Sequence, residues 1–267
     1  MGFREPTNDE IREILLSAPY FEWPTFDHMP LNCFDLTSAV LTFPGDISQC
    51  RTEEPSIYAK YTIDIGDLST CPKKDEIFDV ELWNEKSVCV AWFFGRFNWA
   101  CMIDVGEFVL RQGYFSVGVA VARFQHIQNV ADITDFEQLK LALLSLLAVQ
   151  IENEDVQPLQ ESSIFSKEIN GRHWLIARSL NHANNPCYRA VSPIDHQTAI
   201  YIPASLGNCW FYGEVIPESV EQKHLASFWD FLGHIHLTYE QNGDLAVGSV
   251  AREAPGQAEK MDDLPEW

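Results

Sequence analysis

Ile164-Phe165-Ser166-Lys167-Glu168-Ile169-Asn170-Gly171-Arg172-His173-Trp174-Leu175-Ile176-Ala177-Arg178-Ser179-Leu180 reads as two strand-forming runs around a two-residue turn. Both central residues of a type I′ turn need positive φ, and Asn-Gly meets that need at little steric cost. The stretch therefore predicts an antiparallel hairpin. Downstream, Tyr188–Ser192, Thr198–Pro203 and Cys209–Ile216 are short β-prone runs between turn residues, which extends the hairpin into a meander. Ser219 is placed to cap a helix over Val220–Leu232, with Leu225, Phe228 and Leu232 on one face and Gly233 as its stop. A second Asn-Gly, at 242–243, predicts a hairpin joining His234–Glu240 to Asp244–Val250. Residues 251–267 are polar and are expected to fray.

Upstream the same vocabulary recurs. Thr7 and Glu10 form a capping-box pattern before Ile11, Ile14 and Leu15, so a short helix is expected from about residue 8 until Pro19. Residues 19–55 are aromatic and rich in proline, with one strand expected at Ala39–Phe43. Ile57, Ala59, Tyr61, Ile63 and Ile65 alternate with polar residues, the period of a half-buried strand. Phe78, Val80 and Leu82 alternate likewise, and Asn84-Glu85-Lys86 is expected to turn the chain into Ser87–Phe94. Strand-like sequence continues to Phe124, with turns expected at Gly106 and Gly113. Thr134 and Glu137 suggest a second capping box before a helix to about Ile151. That helix is apolar on nearly every side, so deep burial is expected.

These elements predict an α+β fold: antiparallel sheets with a few packed helices, in two similar halves of meander plus helix. Glu152–Ser163 is polar, contains Pro158 and is the best linker. The halves are then 1–156 and 157–267, either as separate units or around one core. The length of 267 residues suits one large domain or two small ones at about 150 residues each. Trp92-Phe93-Phe94-Gly95 and Trp210-Phe211-Tyr212-Gly213 look alike, but the flanking sequence does not agree, and chance in an aromatic-rich chain explains the match.

Charge narrows the partner classes. The formal balance is −21, from 18 basic and 39 acidic side chains. It is spread evenly, at −7 in each of residues 1–75, 76–160 and 161–267, so no acidic tail accounts for it. Such a field repels nucleic-acid phosphates and anionic membrane surfaces, and it favours a basic protein or a cation. Arg96, Arg111 and Arg123 stand among aromatics, yet against so much acid they read as internal ion-pair partners. Neither long apolar run, Val88–Ile103 or Leu139–Ile151, suits a membrane span: the first is broken by Gly95, Arg96 and Asn98, and the second is too short. Seven cysteines, an odd number with no C-x-x-C, and the absence of an apolar stretch in Met1–Pro6 lead to the expectation of free thiols in the cytoplasm.

Catalytic signatures are sparse. No G-x-S-x-G, P-loop or strand-following G-x-G-x-x-G occurs, and no cofactor is expected. His234 and His236 would share one face of a strand, with His224 and Asp230 as the nearest further metal ligands. Zinc needs three or four ligands, and spacing fixes no third one, so two half-exposed histidines are the simpler reading. Cys187 with His182 or His196, and Asp195 as orienter, is a conceivable thiol nucleophile; a buried structural thiol is commoner. Asp79, Glu81 and Asp64 are read as solvated strand carboxylates, and Glu221-Gln222-Lys223 falls on a helix rather than on a nuclease hairpin. The sequence thus favours a non-enzymatic protein that binds and neutralises a basic partner, of the toxin-neutralising immunity or inhibitor type. The partner surface expected is the loop holding Phe21, Glu22, Trp23, Phe26 and Asp27, because aromatics anchor interfaces. A metal-dependent enzyme centred on His234 and His236, and a scaffold protein assembling through sheet edges, are the alternatives.

Overall fold

A computed structural model describes residues 7–17, 25–36, 39–45, 79–82, 88–104, 109–152, 157, 163–208, 211 and 213–239. The expected strand at 57–65, the turns at 84–86 and Gly106, the Asn242-Gly243 hairpin, residues 251–267 and most of the expected linker lie outside these residues.

The first helix, α1 (Asn8–Ser17), starts where the capping box places it. Thr7 N–H donates to Glu10 Oε2 at 2.7 Å, and Glu10 N–H donates back to Thr7 Oγ1 at 3.4 Å. Strands β1 (Leu31–Asp35) and β2 (Ala39–Pro44) follow as an antiparallel pair. Next come β3 (Asp79–Leu82) and two 16-residue strands, β4 (Cys89–Asp104) and β5 (Val109–Phe124). Gly113 is not a turn. It lies inside β5 opposite Cys101, where the register shifts before Met102 pairs with Arg111. A glycine at such a shift eases the local bend of the strand.

Helix α2 (Phe136–Glu152) is capped by Asp135 rather than by Thr134. Asp135 Oδ1 accepts from both Glu137 N–H and Gln138 N–H at 3.0 Å. Thr134 is instead held by the carboxylate of Asp132. Nor is α2 buried all round: Leu141 is 45% exposed.

The meander β6 (Ile164–Ile169), β7 (Arg172–Leu180), β8 (Pro186–Pro193) and β9 (Thr198–Asn208) is antiparallel throughout. Asn170 and Gly171 have φ of 51° and 71°, so the turn between β6 and β7 has the left-handed backbone that Asn-Gly predicts. No strand occupies residues 213–217, where one was expected within Cys209–Ile216; β9 runs on to Asn208, and Glu214 N–H donates to the Phe211 carbonyl at 2.9 Å. Pro217, not Ser219, is the N-cap of α3 (Glu218–Gly233), because its fixed φ suits a helix entry without any side-chain acceptor. The last described strand is β10 (His236–Tyr239).

The fold is α+β, with two antiparallel sheets. The larger has the order β3-β4-β5-β9-β8-β7-β6, and the smaller β1-β2-β10. Residues on both sides of position 156 therefore build one sheet, joined where Gly113–Arg123 of β5 pairs with Thr198–Asn208 of β9. Both faces of that sheet are covered. One carries α2, with Ala91, Ala120, Ala122, Ala177 and Ala199 beneath its leucines. The other carries α3 and the small sheet, with Phe94, Phe97, Phe115, Phe228 and Phe231 between them. The two meanders resemble each other in order, but a two-fold axis relating antiparallel neighbours β5 and β9 would put both helices on one face. They lie on opposite faces, so no such symmetry relates the halves.

Candidate functional site

Helix α1 packs beside α3. Arg12 Nη2 donates to Glu214 Oε1 at 2.8 Å, and its guanidinium lies 5.3 Å from the centre of the Phe211 ring. Lys223 Nζ reaches the carbonyl of Leu16 at 3.5 Å. This edge presents Asp9, Glu13, Glu214 and Glu218 to solvent. Leu16 and Val215 are also exposed there, at 42% and 62%. The physical reason is helical spacing: Ile11 turns inward, and Asp9 and Glu13, four residues apart, share an outer face.

Acid dominates the surface generally. Among the side chains described, ten carboxylates are exposed, against the two cations Arg96 and Lys167. The other basic side chains are half-buried or buried, and several are held inside the fold. Arg123 Nη2 donates to Gln197 Oε1, and Arg172 Nη1 to Ser192 Oγ. The side chain of Arg111 lies outside those described.

The strongest polar cluster is internal. Arg178 Nε and Nη2 donate to the two oxygens of Glu221 at 2.6 and 2.8 Å, and the Tyr188 hydroxyl donates to the same carboxylate. Burial first, and then the neighbouring Glu221, push the Tyr188 phenol up, while the carboxylate raises Arg178. The ion pair pins α3 to β7 and β8. Glu221 stands four residues before Leu225 and seven before Phe228, on one helical stripe. A carboxylate within an apolar stripe is the signal that could have found it in the sequence.

One turn along, His224 is fully buried, with Nδ1 4.0 Å from Cys101 Sγ. Burial, aided by Lys223, drops the imidazole to about 3. Cys101 and His224 are both fully buried, so the contact packs in the core rather than facing a cavity or solvent.

The structure separates the expected metal ligands. His234 is not on a strand but at the C-cap of α3. Its Nε2 lies 3.0 Å from Asp27 Oδ1, and its Nδ1 lies 2.9 Å from the Asp230 carbonyl. Burial opposes protonation, but these bonds and the two carboxylates outweigh it and raise the imidazole. His236 is exposed on β10, and His224 is in the core. Among the described residues no three His, Cys, Asp or Glu side chains gather to hold a metal.

Cys187 is buried, with Sγ 3.7 Å from Asn185 O and 3.8 Å from Ser205 Oγ rather than against His182 or His196. Asp195 and His196 lie past the far end of β8, where Asp195 Oδ1 accepts from Gln197 and Thr198 N–H. Among the described residues, Cys33, Cys89, Cys101 and Cys187 stand outside any disulfide. The side chains of Asp79 and Glu81, and Asp64 altogether, are outside the described set.

Of the expected partner loop, Phe21, Glu22 and Trp23 lie outside the described residues. Phe26 is a core ring, 1% exposed, edge-on to Trp99 and Phe231 at 5.4 and 5.1 Å. It cannot meet a partner from there, because burial beside aromatics satisfies it better than solvent does. Asp27 is exposed and bound to His234. Among the described residues no helix is long and apolar enough to cross a membrane. No protein-family model, curated protein or solved structure matches the chain.

Proposed function

We propose that this chain is a non-enzymatic acidic protein that binds and neutralises a basic partner protein in the cytoplasm, as a toxin-neutralising immunity or inhibitor protein does. The observation that carries the reading is the edge between α1 and α3, where exposed Leu16 and Val215 stand among Asp9, Glu13, Glu214 and Glu218. Such a surface suits a basic face in two steps. The charge accelerates encounter, and the apolar side chains then leave water in the contact. Exposed ion pairs contribute only about 0–1 kcal/mol each, so the apolar pair sets the lifetime of the complex and the acid sets its speed of formation.

The test is stopped-flow association with the proteins encoded by the neighbouring genes, among which the reading expects a basic one. The association rate should fall steeply between 0.1 and 1 M salt, over which the screening length shortens from about 10 to about 3 Å. Leu16→Ala should speed dissociation and leave association nearly unchanged. An association rate indifferent to salt, or no complex at all, would overturn the reading. An intact complex with an unchanged off-rate in Leu16→Ala would move the contact elsewhere on the acidic surface.

A further inference from the structure

The face of the large sheet that carries α2 is not wholly covered by that helix. Past Phe93 and Tyr201 it opens into a cavity of about 250 Å³ whose lining includes Arg96, Ser116, Gly118, Arg189 and Ser205. Strand register brings these residues together from four strands. Asn98 pairs with Ser116, Ser116 with Ser205, Ser205 with Cys187, and Cys187 with Ser179. Five small polar side chains thus form one row across the sheet. In the next row Arg96 pairs with Gly118, and Arg189 with Pro203. Residues two apart on a strand share a face, so both rows lie on one face of the sheet, and Ser116, Cys187 and Ser205 of the first row line the cavity with the second.

The two guanidiniums are held in position. Gly118 leaves room for the Phe93 ring, which a Cβ there would meet at 2.8 Å. The Arg96 guanidinium lies over that ring, 4.4 Å from its centre. Arg189 is 7% exposed, and its Nη1 donates to Ser179 Oγ at 2.8 Å.

We propose that this saddle binds a small molecule through a phosphoryl group, a function separate from the partner surface above. Two guanidiniums supply planar forks of donors matched to oxyanions, and the serine hydroxyls add donors that a tetrahedral group can use all round. The cavity accommodates the phosphoryl group and a short organic body, with Phe93 and Tyr201 as its wall.

Inorganic phosphate and glycerol 3-phosphate are titrated into the full chain at constant ionic strength, with chloride and succinate as controls. Thermal midpoint and amide chemical shifts of β4, β5, β8 and β9 report binding. Phosphate should raise the midpoint above the chloride control, and glycerol 3-phosphate should do so at lower concentration if the site accepts an organic body. Arg96→Gln should weaken binding about tenfold or more, as loss of a charge-assisted hydrogen bond does. Ser116→Leu, which fills the cavity without removing charge, should abolish it. Lys167→Gln removes an exposed cation outside the cavity, which lies over Trp229 on β6's side of the molecule, and should change nothing. No effect of phosphate beyond chloride, succinate binding in preference to phosphate, or binding that survives both Arg96→Gln and Ser116→Leu would each overturn the proposal.

Discussion

The two faces of the seven-stranded sheet are packed on different plans. Beneath α2 the strands contribute alanine at Ala91, Ala120, Ala122, Ala177 and Ala199, and the helix contributes Leu139, Leu143, Leu146 and Leu147. Beneath α3 and the small sheet the strands contribute Phe94, Phe97, Phe115, Trp174 and Tyr188. A single helix sits close on a floor of methyl groups. A second layer made of a helix and a tilted sheet leaves a deeper and less regular gap, which rings fill in edge-on and stacked pairs. Phe115 shows this well, with Trp99 stacked at 5.6 Å and Phe26 and Phe228 edge-on at 6.4 Å. In β5 the alternation of Val119 and Val121 with Ala120 and Ala122 therefore sorts residues by size between the two faces, with Phe93, Phe124 and Tyr201 as larger side chains on the α2 face.

The contrast predicts opposite sensitivities. Phe115→Ala should cost about 3–5 kcal/mol, because several rings cannot collapse into the space together. Urea denaturation measures it, and a loss under 1 kcal/mol would mean that the aromatic face is loosely packed. Ala122→Leu makes the converse change on the α2 face and should cost about 1–3 kcal/mol by lifting the helix. A neutral or stabilising result would show unfilled space under α2 and end the comparison.

The smallest effect concerns protons. His224 is buried on the aromatic face and falls to about 3, while the unfolded chain takes a proton near 6.5. Below pH 6.5 the unfolded state therefore binds more protons, and stability drops as pH falls, by at most about 1.4 kcal/mol per unit. Between pH 6.5 and 5, His224→Leu should lack this slope; an unchanged slope would show that His224 protonates in the fold. His234, ten residues on, works on the other side of 6.5. Its raised imidazole gives stability that is complete below 6.5 and is lost as pH rises through its folded value.

Part of this was legible in the sequence. Asn170-Gly171 and the Thr7–Glu10 box act over a few residues and formed as read, and the apolar run of α2 formed a helix, though one with an exposed side. The cap of α2 moved by one residue because the Asp135 carboxylate takes the orphan N–H groups of Glu137 and Gln138, while Asp132 ties up the Thr134 N–H and hydroxyl. Phe26 was read as a surface anchor, since nothing local distinguishes an aromatic that caps a core from one that meets a partner. Glu221 was read only as part of a helix, because its partners Arg178 and Tyr188 lie 43 and 33 residues away.

The sequence by itself determined the kinds of element, the Asn170-Gly171 turn and the acidic character of the described surface, all set by side-chain chemistry over short range. Only the tertiary structure decided that β5 pairs with β9, that α2 and α3 take opposite faces, and that Arg96 and Arg189 flank one cavity. Pairing partners so far apart in the chain are chosen by the apolar area buried when whole layers close, and no window of sequence contains that sum.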